Sequence, residues 1–76
     1  MSLLHMAASY RQGGELIRLR IAALRDAAKT ADPVEKRQLE LRIRDLSVLY
    51  RETREVALVL ERYYDRRYHN NERYTL

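Results

Sequence analysis

The chain contains no cysteine, so neither a disulfide nor a thiolate metal site braces it, and a catalytic thiol is excluded. Two glycines and one proline in 76 residues leave few places where a helix has to stop. No apolar run approaches the ~20 residues that span a bilayer. The short stretch around Leu3, Leu4 and Met6 lacks the length and the basic flank of a secretory leader. These absences point to a cytoplasmic protein without a membrane anchor. Met1, Ser2 and Leu3 are compatible with a remnant of expression cloning, the natural chain then starting at or near Met6.

Leucine, alanine, arginine and glutamate, all good helix formers, dominate what is present, and the expected class is all-α. One domain over residues 1–76 is the most that this length allows. A chain of this size is expected to bury only about 60–65% of the surface it exposes when unfolded. With such a thin core, well-packed helices or association with a partner must supply the rest.

The sharpest local signal is Thr30-Ala31-Asp32-Pro33-Val34-Glu35. Asp32 suits an N-cap, Pro33 the first helical position, and Glu35 stands three residues after the cap. One helix, about residues 3–30, is therefore expected to turn over residues 30–33 into a second, about residues 33–68. So short a connection makes the two antiparallel neighbours whose residue numbers add to about 64.

In the second helix Leu39, Ile43, Leu46, Tyr50, Thr53, Ala57, Leu60 and Tyr64 recur at alternating steps of four and three, a heptad seam with Ile43, Tyr50, Ala57 and Tyr64 at a. Leu49, Val56 and Tyr63 at g widen the stripe to that of a globular bundle. The first helix carries the same spacing through Leu3, Ala7, Tyr10, Gly14, Ile17, Ile21, Leu24 and Ala28. The unbroken phase is compatible with one long helix that has Gly14 at a close contact, but two interior glycines cost about 2 kcal/mol relative to alanine, so a kink or interruption near residues 13–14, leaving a short N-terminal helical extension, is the expectation. Asn70 and Asn71 tolerate the left-handed conformation that closes a helix, which makes residues 70–76 a tail.

Val56-Ala57-Leu58-Val59-Leu60 is apolar all round, and a helix apolar all round is a buried one. Residues 3–12 can cover its a and d side but not Leu58 and Val59. The reading is a homodimer resembling a four-helix bundle, joined through Leu49, Tyr50, Val56, Leu58, Val59, Leu60, Tyr63 and Tyr64. Glu61 and Asp65, like Arg62 and Arg66, are like charges four apart, and a second copy setting Glu61 against Arg62 or Arg66 would relieve both conflicts.

Function is therefore expected to be non-enzymatic: a scaffold or adaptor that binds itself and another protein. Gln12-Gly13-Gly14-Glu15 lacks the strand and the Lys-Ser/Thr of a phosphate loop. Glu61, Asp65 and His69 share a helix face, but no second ligand cluster accompanies them, and neither a metal nor a cofactor is expected. The alternative is a nucleic-acid-binding accessory protein. The formal charge is +4, and Arg62, Arg66, Arg67 and Arg73 alternate with Tyr63, Tyr64, Tyr68 and Tyr74. Arginine contacts phosphate and tyrosine stacks on unpaired bases, while Arg11, Arg18, Arg20 and Arg25 would extend the field. Against it, acidic residues are interspersed, and Arg and Tyr are equally the residues of protein interfaces. Arg62, Arg66, Arg67, Tyr68, Arg73 and Tyr74 are the candidates for this external surface.

Overall fold

The computed structural model describes the backbone of residues 2–74 and the side chains of residues 2–64. Two helices, α1 (Leu3–Ala28) and α2 (Pro33–Tyr74), pack against each other as an antiparallel hairpin, with no strand among the described residues. The turn forms as its residues dictate. Asp32 accepts from the Glu35 N–H through Oδ1 at 2.9 Å and from the Lys36 N–H through its carbonyl at 2.8 Å, satisfying donors that a helix start leaves open. At the end of α1 the Lys29 and Thr30 N–H groups donate back to Asp26 and Ala27, tightening the last turn. Ser2 caps the other end of α1, its Oγ accepting from the His5 N–H at 3.1 Å.

The interruption expected near residues 13–14 is absent: α1 runs through both glycines, and neither has positive φ. Tertiary packing overrides the propensity cost there. Gly14 is buried, and a Cβ in its place would stand 3.8 Å from both the Tyr50 ring and Thr53 Oγ1, so α2 lies directly across from it. The Thr53 hydroxyl, at a seam position, is satisfied locally by donating to the Leu49 and Tyr50 carbonyls at 2.7 and 2.9 Å.

Gly14 facing Tyr50 gives the sum of 64 expected from the turn. The same register sets Ala7 level with Ala57, and these are the two least exposed apolar residues, at 1% and 0%. Ile21 and Leu24 complete the buried set. The seam is thus closed by small side chains at one end and by two aliphatic ones nearer the turn.

The second helix is also longer than its sequence pattern predicts. α2 does not close at Asn70-Asn71 but continues to Tyr74, making 42 residues against the 26 of α1. Asparagine is only a modestly poor helix former, no proline or glycine follows, and no described non-glycine residue adopts positive φ. Leu3 is level with Glu61 in the hairpin register, so about thirteen residues of α2, ~20 Å at 1.5 Å per residue, run on with no α1 beside them.

The outcome is a rod of 66 × 16 × 14 Å with a radius of gyration of 18.2 Å, where a compact chain of this length would have about 11 Å. Its accessible surface is 6489 Å²; a compact monomer of 9.1 kDa would expose about 4,900 Å². The chain buries about half of its unfolded surface rather than the expected 60–65%. No helix is long and apolar enough to cross a membrane among the described residues.

Two local predictions follow from these helices. Nothing lies within 4 Å of a Cβ built on Gly13, so Gly13→Ala should stabilise the fold by about 0.5–1 kcal/mol, whereas Asp32→Ala should cost about 1 kcal/mol. Urea denaturation read by circular dichroism checks both; a loss of stability in Gly13→Ala would contradict a continuous α1.

Candidate protein interaction surface

Each residue turns the helix by about 100°. With Tyr50 and Ala57 directed at α1, Leu49, Val56 and Tyr63, each one residue before a seam position, line one flank of α2. Arg51 and Leu58, each one residue after, line the other. One cross-helix ion pair shows which flank of α1 joins which. Arg11 donates through Nε and Nη2 to both carboxylate oxygens of Glu61, at 2.6 and 2.9 Å. The α1 line of Arg11, Arg18 and Arg25, spaced by seven, therefore runs beside the flank of α2 that holds Arg54, Leu58 and Glu61.

By the same rotation the opposite flank joins Met6, Gly13 and Arg20 of α1 to Arg42, Leu49, Val56 and Tyr63 of α2, with the half-buried Ile17 at its edge. The hairpin thus has an arginine face and an opposite flank that is apolar from Leu49 to Tyr63 and carries Arg20 and Arg42 nearer the turn. On the apolar face Leu49, Val56 and Tyr63 are 45%, 38% and 53% exposed, and Val59, further round α2, is 64% exposed. Glu52, Glu55, Val56, Val59 and Leu60 line a shallow open groove along this side.

On the arginine face Arg11 and Arg18 are paired with carboxylates. Arg18 is hydrogen-bonded to Glu15, and the Arg54 guanidinium lies 5.8 Å from the centre of the Tyr50 ring. Ser47, Tyr50, Arg51, Arg54, Glu55 and Leu58 line a second open groove there. The hydrogen bonds from Arg11, helped by its charge and opposed by partial desolvation, hold the Glu61 carboxyl below the ordinary carboxylate range, and the Arg11 guanidinium is correspondingly raised. Arg18 lowers Glu15 in the same way.

The expected interface residues do not all share one surface. Tyr50 and Leu60 sit in the seam, half-buried within the hairpin; Tyr64 follows them in phase but past the start of α1, and is exposed. Leu49, Val56, Val59 and Tyr63 come together. Leu58 does not belong with them: it falls about 100° to the arginine side of the seam, so the all-round apolar run is two separate surfaces. Missed from sequence was Met6, the half-buried apolar share of α1 in this flank. Its spacing was visible; the pairing of flanks was not.

Within its own chain Glu61 is paired with Arg11, a contact fifty residues apart in sequence that the periodicity did not announce. With both oxygens held by Arg11, Glu61 is poorly placed to join a cation site with Asp65 and His69, whose side chains lie outside the described residues. No cluster of three metal-ligating side chains occurs among the described residues. Arg62 is exposed, while Arg66, Arg67, Tyr68, Arg73 and Tyr74 lie outside the described side chains.

No known family model, curated protein or solved structure matches the chain.

Because the folded-state value of Glu61 is depressed, its ion pair contributes stability above the ordinary glutamate value of 4.5 and loses it as pH falls below that through the depressed value. Glu61→Gln should therefore melt lower than the parent near neutral pH, with the gap narrowing as both are acidified. Paired thermal melts from pH 7 to pH 2.5 give the comparison; a gap independent of pH would mean that charge at Glu61 is not what holds the two helices.

Proposed function

We propose that the protein is a small helical interaction module that works as a homodimer, two hairpins burying the apolar face of Leu49, Val56, Val59 and Tyr63 against each other in a four-helix assembly. The observation that carries this reading is the surface excess. The chain exposes 6489 Å², about 1,600 Å² more than a compact monomer of its mass. A stable interface of standard size removes about 800 Å² from each partner. A second copy of an equally two-faced rod has the matching apolar surface, and association supplies the burial that one hairpin cannot.

Dimerisation leaves the arginine face outward. That face is suited to a further protein partner, since it alternates arginines with carboxylates and presents Leu58 and Tyr50 among them. The same alternation weighs against nucleic acid, because Arg11 and Arg18 are already held by Glu61 and Glu15. The role that fits is that of a scaffold or adaptor, with binding rather than chemistry as its activity.

Light scattering after size exclusion, across a hundredfold dilution, tests the reading: the mass should be about twice the 9.1 kDa chain, and the melting temperature should rise with protein concentration. Val59→Glu, at a position too exposed to matter to an isolated hairpin, should shift the mass to that of a monomer and lower helicity. A parent chain that is monomeric and fully helical at every concentration would overturn it.

A further inference from the structure

The thirteen-residue overhang of α2 and the uncovered apolar face are two open surfaces, and one arrangement closes both. Along α2, on its side away from the arginine flank, Asp45, Glu52, Val59, Arg66 and Arg73 recur at intervals of seven. Such a repeat stays on one stripe when two helices wind gently around each other. Its signs run negative, negative, neutral, positive, positive. The stripe is therefore self-complementary about Val59, with Glu52 and Arg66 each seven residues from it and Asp45 and Arg73 each fourteen.

Resting on the homodimer reading above, we infer that the two copies pair through α2 in antiparallel fashion about a two-fold axis at Val59, which sets Glu52 against Arg66 of the other copy and Asp45 against Arg73. Residue numbers across the pair then add to about 118. A parallel pair would instead align Asp45 with Asp45, Glu52 with Glu52 and each arginine with itself, stacking like charges along the whole contact.

The lengths agree with this register. Residues 62–74 of one α2 fall level with residues 44–56 of the other, and, through the hairpin register of 64, with residues 8–20 of its α1. The overhang of each chain thus lies along the apolar face of its partner, beside Leu49 and Val56 of α2 and Ile17 of α1. Each half of the dimer is three helices in cross-section, two from one chain and one from the other. The two α1 helices meet end to end near their N-termini.

The absence of native cysteine makes the test direct. Val59→Cys, Glu52→Cys and Arg66→Cys are prepared separately, confirmed helical, oxidised, and run on non-reducing gels. Val59→Cys alone should form a covalent dimer. Glu52→Cys and Arg66→Cys should each remain single chains alone and cross-link when mixed. In parallel, Glu52→Arg should weaken dimerisation at least about tenfold, since the two-fold axis repeats each lost pair, and adding Arg66→Glu should restore it.

Cross-linking of Glu52→Cys with itself would establish a parallel pair and overturn the inference. A parent dimer in which none of the three cross-links, and in which Glu52→Arg has no effect, would overturn it while leaving self-association through another surface intact. A parent that is monomeric throughout would remove the dimer reading itself, and this arrangement with it.

Discussion

A helix with a single neighbour can bury only the stripe that faces it, and in this protein each helix has a single neighbour over the described contacts. The stripe is filled at one end by Ala7, Gly14 and Ala57 and nearer the turn by Ile21 and Leu24. Small residues let α2 come close across Gly14, where its Tyr50 and Thr53 pack, but they contribute little apolar area. The seam therefore fixes how the helices meet more than it stabilises their meeting. The large accessible surface and the rod shape follow from that.

The next stripe round is not symmetric. The arginine flank is closed by Arg11 clamping Glu61, by Arg18 with Glu15, and by Arg54 over Tyr50, all interactions that tolerate water. The opposite flank offers Leu49, Val56 and Tyr63, which do not. An exposed ion pair of this kind contributes modestly to stability. It is consistent with the phase that the seam sets, and it shows which flank of α1 adjoins which flank of α2. The inequality of helix lengths adds a third element, a stretch of α2 that carries charge in an order complementary to the charge further back on the same helix.

Much of this was legible in the residues. The turn at Asp32-Pro33, the two helices, their antiparallel order, the seam from Leu39 to Tyr64 and the sum of 64 that places Gly14 at Tyr50 all come from local rules of capping and periodicity, which act within a few residues. The same rules misjudged Gly13-Gly14 and Asn70-Asn71. Propensity weighs a residue alone, while the continuity of α1 depends on α2 packing across Gly14, and termination after Asn70 requires a left-handed residue that nothing there enforces.

The sequence by itself determined that this is an all-helical antiparallel hairpin with more apolar surface than its own core can use. Only the tertiary structure decided where that surface lies, that Leu58 is divided from Val59, that Met6 shares a flank with Leu49 and Val56, and that Glu61 belongs to Arg11. The physical reason is the rotational phase between two helices. Periodicity gives each helix its own faces, but which flank of one adjoins which flank of the other depends on contacts between residues some fifty positions apart, as between Arg11 and Glu61.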